Sequence, residues 1–600
     1  MCVKGVLVFA LILPLYGQTI DIPDASFKAF CVASYDSNLD GEISASEAAA
    51  VTGTMDCSSL NIADLTGVEA FTSVQRLVCH GNQLTSLPNL SGLANLQRLY
   101  CYNNLLTSLP DLGALGNLQQ LYCYGNELTS MPDLSSLGNL LRLYCQNNQL
   151  LSLPDLSSLT SLQHLFCYNN QLTSLPALDS LTNLQYLRCY TNRLARLPDL
   201  SNLSSLLGLL CNANELRSLP DLSSLINLQK LYCYSNELTS LPDMSSLSNL
   251  LELRCYFNQL TTLPDLSNLT QLQQFSCYNN QLTSLPELTA LTNLQLLDCY
   301  NNQLTSLPEL ATLTNLQILY CNRNMLTTLP ELANLTALEH LRCDRNQLTS
   351  LPALATLTEL QTLHCQNNAL TSLPDLANLG NLQSLFCDDN QLTTLPELAN
   401  PSSLLELDCA YNQLTSLPEL AHLHQLESLI CFFNQLTVLP ELPNPSNLVS
   451  LYCSSNQLAD LPELTNVTQL VELVCSSNAL TSLPELGVLS SLELLYCHTN
   501  QLTSLPELAN LSSLEVLYCY SNELTNLPDL PETLVNLLCW SNLLLWNSCL
   551  LLEGHDQGNY AQGNALIGMS LELSAWPEAG ALFRLIQIAD LETYWLDCNE

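Results

Sequence analysis

Apolar positions recur with a fixed period of 22 residues from Cys57 to Cys519. One copy shows the unit: Leu96, Leu99, Cys101, Asn104, Leu106, Leu109, Pro110, Leu112 and Leu115, or LxxLxCxxNxLxxLPxLxxLxx. Leu99 and Cys101 alternate with Tyr100 and Tyr102. That period of two predicts a short strand buried on one side. Pro110 and its equivalents exclude a continuous helix through the second half. Each unit therefore has room for one strand, two corners and a return path of turns or 3₁₀ helix. A single copy cannot bury its apolar side alone, so the copies must stack, with strands paired in parallel ~4.8 Å apart.

The pattern resembles the leucine-rich-repeat family, whose core signature is LxxLxLxxNxL. The 22-residue length and the LPxLxxLxN second half are most similar to the bacterial internalin-like class. The match runs from Cys57 to Asn542, about four-fifths of the chain. The resemblance implies an α/β leucine-rich-repeat solenoid, or horseshoe. One short parallel strand per repeat would line the concave face and turns or 3₁₀ helix the convex face, with a small helical cap at the N-terminus. The expected organisation is a signal peptide over 1–17, a cap over 18–56, the solenoid over 57–542, and a C-terminal cap or divergent tail over 543–600.

Three columns follow from the register. An asparagine ladder runs from Asn82 through Asn104 and Asn126 to Asn522 and Asn542. Its amides sit where the chain leaves the strand and can satisfy backbone groups that the bend leaves unpaired. A cysteine ladder of 22 rungs, followed by Cys539 after a step of 20, replaces an inward leucine of the signature. Its side chains should be parallel, which opposes the disulfide dihedral, so buried thiols are expected. A third column follows each proline: 18 of its 21 positions are Asp or Glu, beginning with Asp111, Asp133 and Asp155. Helix-start chemistry accounts for it, with an edge for cations or a basic partner as the alternative.

Composition narrows the function. Asp and Glu number 55 against 15 Lys and Arg, a formal charge of −40. That balance opposes nucleic acid and anionic membrane surfaces as partners. Lys4 followed by the apolar run Val6–Leu15 reads as a secretory signal peptide, with cleavage expected after Gly17. A secreted or cell-surface location is therefore expected. No later segment reads as membrane-spanning.

Ahead of the repeats lies DSNLDGEISASE, residues 36–47. It resembles a calcium-binding EF-hand loop at every informative position. The resemblance implies that Asp36, Asn38, Asp40, Glu42 through its carbonyl, Ser44 and Glu47 hold Ca²⁺, with Gly41 at the sharp turn. Helices are expected over 27–34 and 46–51. The hand is single, so a structural calcium ordering the cap is the expected use.

Residues flanking each inward cysteine should face outward from the sheet, and 17 of the 23 tyrosines fall there. The candidate partner-binding residues are Tyr100, Tyr102, Tyr122, Tyr124, Tyr144, Tyr168, Tyr190, Tyr232, Tyr234, Tyr256, Tyr278, Tyr300 and Tyr320, with Arg254 and Arg342. Tyrosine suits recognition surfaces, although it also favours strands and stacks along them. Arg188, Asp298, Asp344, Asp388, Asp408, His364 and His498 interrupt the columns, and specificity could reside at such breaks.

No nucleophile–base constellation or catalytic motif stands out, so no enzyme activity is expected. A ubiquitin-ligase domain, carried by some bacterial repeat proteins, would need more chain than follows Cys539. Two functions remain: a monomeric module that binds a protein partner, or an acidic structural spacer of the envelope or matrix.

Overall fold

The computed structural model describes residues 18–398, 402–443 and 446–544. The predicted signal peptide, Cys2, Cys549, Cys598 and almost all of the predicted C-terminal cap lie outside the described residues. The chain opens with helix α1 (Ala25–Tyr35) and helix α2 (Ala45–Ala50). Asp24 caps α1 by accepting from the Phe27 amide at 2.9 Å. Ser44 and Glu47 form a reciprocal capping box on α2.

Then comes a sheet of 23 strands, each parallel to the next. After Gly53–Asp56 and Val74–Val78, every strand is three residues long, from Arg98–Tyr100 to Asn536–Leu538. Like pairs with like: Leu99 opposes Leu121, and Tyr100 opposes Tyr122. A one-residue slip would turn every leucine outward, so burial of one face fixes this register. The ladder continues beyond each strand: Cys101 N donates to Tyr122 O at 2.9 Å, and Asn103 N to Tyr124 O at 2.9 Å.

The core is a continuous column. Leu96, Leu99, Cys101, Leu106, Leu112 and Leu115 are fully buried, and Leu109 nearly so. Cys31 and the ladder from Cys57 to Cys519 are buried thiols without disulfides. Burial pushes the Cys101 and Cys145 thiols up to about 12. The Cys145 thiol donates to Phe166 O of the next coil at 3.5 Å. Each thiol thus behaves as a small core hydrophobe.

The return path takes the turn form of the two expected, and this corrects the helix-start reading of the acidic column. It is built from separate turns, closed by bonds such as Leu115 N to Leu112 O at 2.9 Å. The only 3₁₀ helix among the described residues is Val68–Ala70. The carboxylates after proline therefore start no helix. Asp133 instead accepts from the Ser135 amide at 2.9 Å and the Ser135 hydroxyl at 2.8 Å, a side chain imitating a backbone turn.

The cap is joined to the first coil. Phe27 and Phe71 are both fully buried, and Tyr35 packs edge-on to Phe71 at 5.8 Å. The second oxygen of Asp24 accepts from the Ala63 amide at 2.8 Å. One carboxylate thus caps α1 and anchors it to the solenoid.

Candidate functional site: the open sheet face and the N-terminal loop

Each coil presents three side chains on the open face of the sheet: the first and third strand residues and the one after the cysteine. The candidate tyrosines all lie there and are half-buried. They form long stacks. Tyr100, Tyr122, Tyr144 and Phe166 follow one another at 4.5, 4.4 and 4.3 Å between ring centroids. Tyr234, Tyr256, Tyr278 and Tyr300 follow at 4.3, 4.2 and 4.5 Å. Tyr102 stacks on Tyr124 at 4.4 Å and Tyr168 on Tyr190 at 4.2 Å. Strand spacing imposes this distance. The ring faces are occupied by neighbouring rings, and the hydroxyls of Tyr100, Tyr144 and Tyr232 are engaged by Gln120, His164 and Glu252, which leaves chiefly ring edges for a partner.

The two candidate arginines cap such rings. Arg254 lies 4.6 Å from the Tyr232 centroid and Arg342 5.2 Å from that of Tyr320. Arg254 also donates to Glu252 at 3.1 Å and Gln274 at 2.9 Å. Glu252 further takes Lys230 at 2.7 Å and the Tyr232 hydroxyl. The Arg254 charge is therefore engaged within the sheet. Gln366, Phe386, Asp388, Glu406, Asp408 and Ile430 line a hollow of 340 Å³ on the same face. Burial raises Asp388 to about 7, with Asp408 adding to the shift, and raises Asp408 to about 6.

The asparagine ladder is fully engaged with backbone. Asn302 Nδ2 donates to Cys277 O and Cys299 O, both at 3.1 Å, while its Oδ1 accepts from Leu282 N at 3.0 Å. Each such amide staples its own coil to the preceding one. A second staple on the return side went unnoticed in the sequence: Asn117 Nδ2 donates to Ala94 O at 3.0 Å, and Asn139 Nδ2 to Gly116 O at 2.9 Å. Its signal was asparagine at the same 22-residue spacing.

Also missed was a left-handed residue two places after the ladder cysteine. Asn103 has φ 52°, Asn279 50° and Ser521 51°. Small polar residues suit that conformation. Phe257, Tyr411 and Phe433 adopt it as well, at φ 50°, 49° and 50°. About half of each of these three side chains is exposed, and Tyr411 stacks on Phe433 at 4.7 Å.

Five of the six predicted calcium ligands lie between α1 and α2, and the sixth, Glu47, lies in the first turn of α2. Asp36 accepts from Leu39 N at 2.7 Å and Gly41 N at 2.8 Å. Asn38 accepts from Asp40 N at 2.8 Å, and Asp40 from Glu42 N at 2.9 Å. The Glu42 side chain turns away to Lys28 at 2.7 Å. Glu47 accepts from Ser44 and Ser37, both amide and hydroxyl, and these bonds lower its carboxyl to about 2. Among the described residues no three His, Cys, Asp or Glu side chains are gathered as metal ligands. The loop is closed by the preceding segment: Ile20 N donates to Ile43 O at 2.8 Å, and Ala45 N to Gln18 O at 3.0 Å.

Comparisons with known proteins agree with this geometry. The family model for leucine-rich repeats (2 copies) matches residues 72–114, 160–202, an overlapping series from 248–290 to 314–356, then 358–400, 446–488 and 490–532. Together these cover more than half of the chain. No curated protein matches in sequence. Among solved structures, YopM from Yersinia enterocolitica is 32% identical with a TM-score of 0.62, covering 81% of this chain and 90% of that one. The functional domain of InlJ from Listeria monocytogenes, which includes a cysteine ladder, is 28% identical with a TM-score of 0.52, covering 66% and 82%. The Arabidopsis receptor kinase HAESA, in complex with the peptide hormone IDA and the co-receptor SERK1, is 26% identical with a TM-score of 0.62, covering 79% and 87%. With 22-residue coils, one parallel strand in each and an asparagine staple at the bends from Asn82 to Asn542, the chain belongs to the leucine-rich-repeat family.

Proposed function

We propose that this chain is a secreted or cell-surface module that binds a protein partner through the open face of its sheet. The observation that carries the reading is the paired comb of half-buried tyrosines, whose ring edges line the open face across many coils. HAESA, of the same fold, was solved with a peptide hormone bound. Tyrosine edges and hydroxyls give contact area and hydrogen bonds at low entropy cost. The reading is tested by capturing partners on immobilised protein and comparing it with a Tyr234→Ala/Tyr256→Ala/Tyr278→Ala variant. Saturable binding of one partner, weakened at least tenfold in the variant, is expected. Equal binding by both proteins would leave the acidic spacer as the better account.

Calcium in the N-terminal loop is the second part of the proposal. Its support is an all-oxygen donor set at EF-hand spacing, with Gly41 at φ 83° on the sharp turn. Asp36, Asn38, Asp40, Ser44 and Glu47 would hold the ion through side chains, and Glu42 through its carbonyl. For Glu47 this exchanges hydroxyl and amide donors for the metal. Ion binding would tie α1 to α2 and firm the cover over Phe71. At a hundredfold excess over Kd the gain is about 2.7 kcal/mol. Calcium should therefore raise the melting temperature of the cap, chelator should reverse the rise, and Glu47→Gln should abolish it. A melt indifferent to calcium removes this part of the proposal.

A further inference from the structure

The open face divides its charges by position, although the chain as a whole is strongly acidic. From the strand containing Arg76 to that containing Arg254, its face positions carry Arg76, Arg98, Arg142, Arg188, Lys230 and Arg254 against one carboxylate, Glu252. From Leu296 onward they carry Asp298, Asp344, Asp388, Glu406, Asp408 and Glu472 against one cation, Arg342. With 55 acidic and 15 basic residues in the chain, an even scatter would make both halves acidic.

Most of these charges have no ion-pair partner among the described residues. Among the described residues the ion pairs are Lys28–Glu42, Arg217–Glu237, Lys230–Glu252 and Arg254–Glu252. Arg76, Arg98, Arg142 and Arg188 have no carboxylate partner there. The Nε of Arg76, Arg98 and Arg188 is buried without an acceptor. Arg76 and Arg188 are held in place over aromatic rings, Tyr100 at 4.8 Å and Phe166 at 4.4 Å. On the other half, the hollow has Phe386 and Ile430 beside Asp388, Glu406 and Asp408. Apolar walls with carboxylates suit the stem and head of a Lys or Arg side chain. Burial lifts Asp388 and Asp408, and an incoming cation would relieve that cost.

We infer that the open face docks an extended protein segment with a fixed direction, its acidic stretch over Arg76–Arg254 and its basic stretch over Asp298–Glu472. The inference rests on the partner-binding reading and adds the partner's charge order. Each half spans eight strand steps, ~38 Å at ~4.8 Å per step. An extended chain covers that distance in about 12 residues. The segment should therefore hold an acidic and a basic block of about 12 residues each. A polyanion would satisfy only the first half and be repelled by the second.

The test uses the full chain and synthetic 24-residue peptides: one with an acidic block followed by a basic block, and one of equal composition with alternating charges. Each block is also made alone, and inorganic polyphosphate serves as the anion-only probe. The block peptide should bind at least tenfold more tightly than the alternating peptide and than either block alone. A photo-crosslinker at its acidic end should label residues 98–254, and one at its basic end residues 298–472. Arg98→Gln/Arg142→Gln and Asp388→Asn/Asp408→Asn, both checked for a native circular dichroism spectrum, should each weaken it at least fivefold. Equal binding of the alternating peptide, polyphosphate binding as tightly, crosslinks without direction, or no binding at all would overturn the inference. If a captured partner still depends on Tyr234, Tyr256 and Tyr278 while the block peptide fails, only the charge order is lost.

Discussion

Asn302→Ala is expected to destabilise the coils it joins by about 2–3 kcal/mol, because one buried amide left unpaired costs about 1–3 kcal/mol and two further bonds between coils are lost with it. The Leu282 amide loses its only partner, while the carbonyls of Cys277 and Cys299 each lose one bond and keep those from Asn280 and Asn324. All three lie where coil meets coil, and Asn302 itself is only 9% exposed. In a linear array the damage should stay local, since each coil contacts only its neighbours. Amide hydrogen exchange should speed up sharply across residues 275–305 and little elsewhere. Asn293→Ala, which removes one bond to Thr270 O, is the control and should cost about 0.5–1 kcal/mol. Equal effects from the two substitutions would mean that the inner amide is not a staple.

The second large effect depends on pH. Asp298 is 9% exposed, and its Oδ1 has no partner among the described residues. Burial raises its carboxyl to about 7, opposed by a bond from the Tyr300 amide and by Arg342. Ser276 and Tyr320 flank it on adjacent strands, with Tyr278 and Tyr300 nearby. The folded protein thus holds a proton that the unfolded chain gives up near 3.8. Stability contributed here is present below pH 4 and lost as pH rises toward 7. Asp298→Asn should therefore stabilise the local coils by about 2–4 kcal/mol at pH 8 and leave them unchanged at pH 4. Local hydrogen exchange at the two pH values reads this directly. Parallel pH profiles for Asp298→Asn and the native chain would refute it.

Much of the fold was legible because one period governs it. Leu99 and Cys101 alternate with tyrosines, Pro110 forbids helix, and the 22-residue repeat fixes how neighbours align. The asparagine role was also readable, since the bend must satisfy backbone groups that only a side-chain amide at that place can reach. The left-handed position was not. Asn103 and Ser521 suit it, but Phe257, Tyr411 and Phe433 hide the preference. The Asp133–Ser135 turn is not distinguishable from a helix start in sequence, because proline followed by a carboxylate signals both. At the candidate site, the tyrosine columns were predictable, but the loss of their ring faces to stacking follows from the strand spacing acting on every copy. The fates of Arg254 and Glu47 depend on Glu252 and on Ser37 and Ser44, contacts that span strands or a loop. The pairing of Gln18 and Ile20 with the loop between α1 and α2 lies wholly in tertiary structure.

The parallel ladder also has a mechanical consequence. Its hydrogen bonds run along the long axis of the molecule, from coil to coil, so tension between the two ends loads the junctions in series. The weakest junction opens first and frees one coil at a time. Each release pays out 22 residues, ~75 Å of extended chain. Under pull the molecule lengthens in steps, as an extensible tether that sheds load while its remaining coils stay folded.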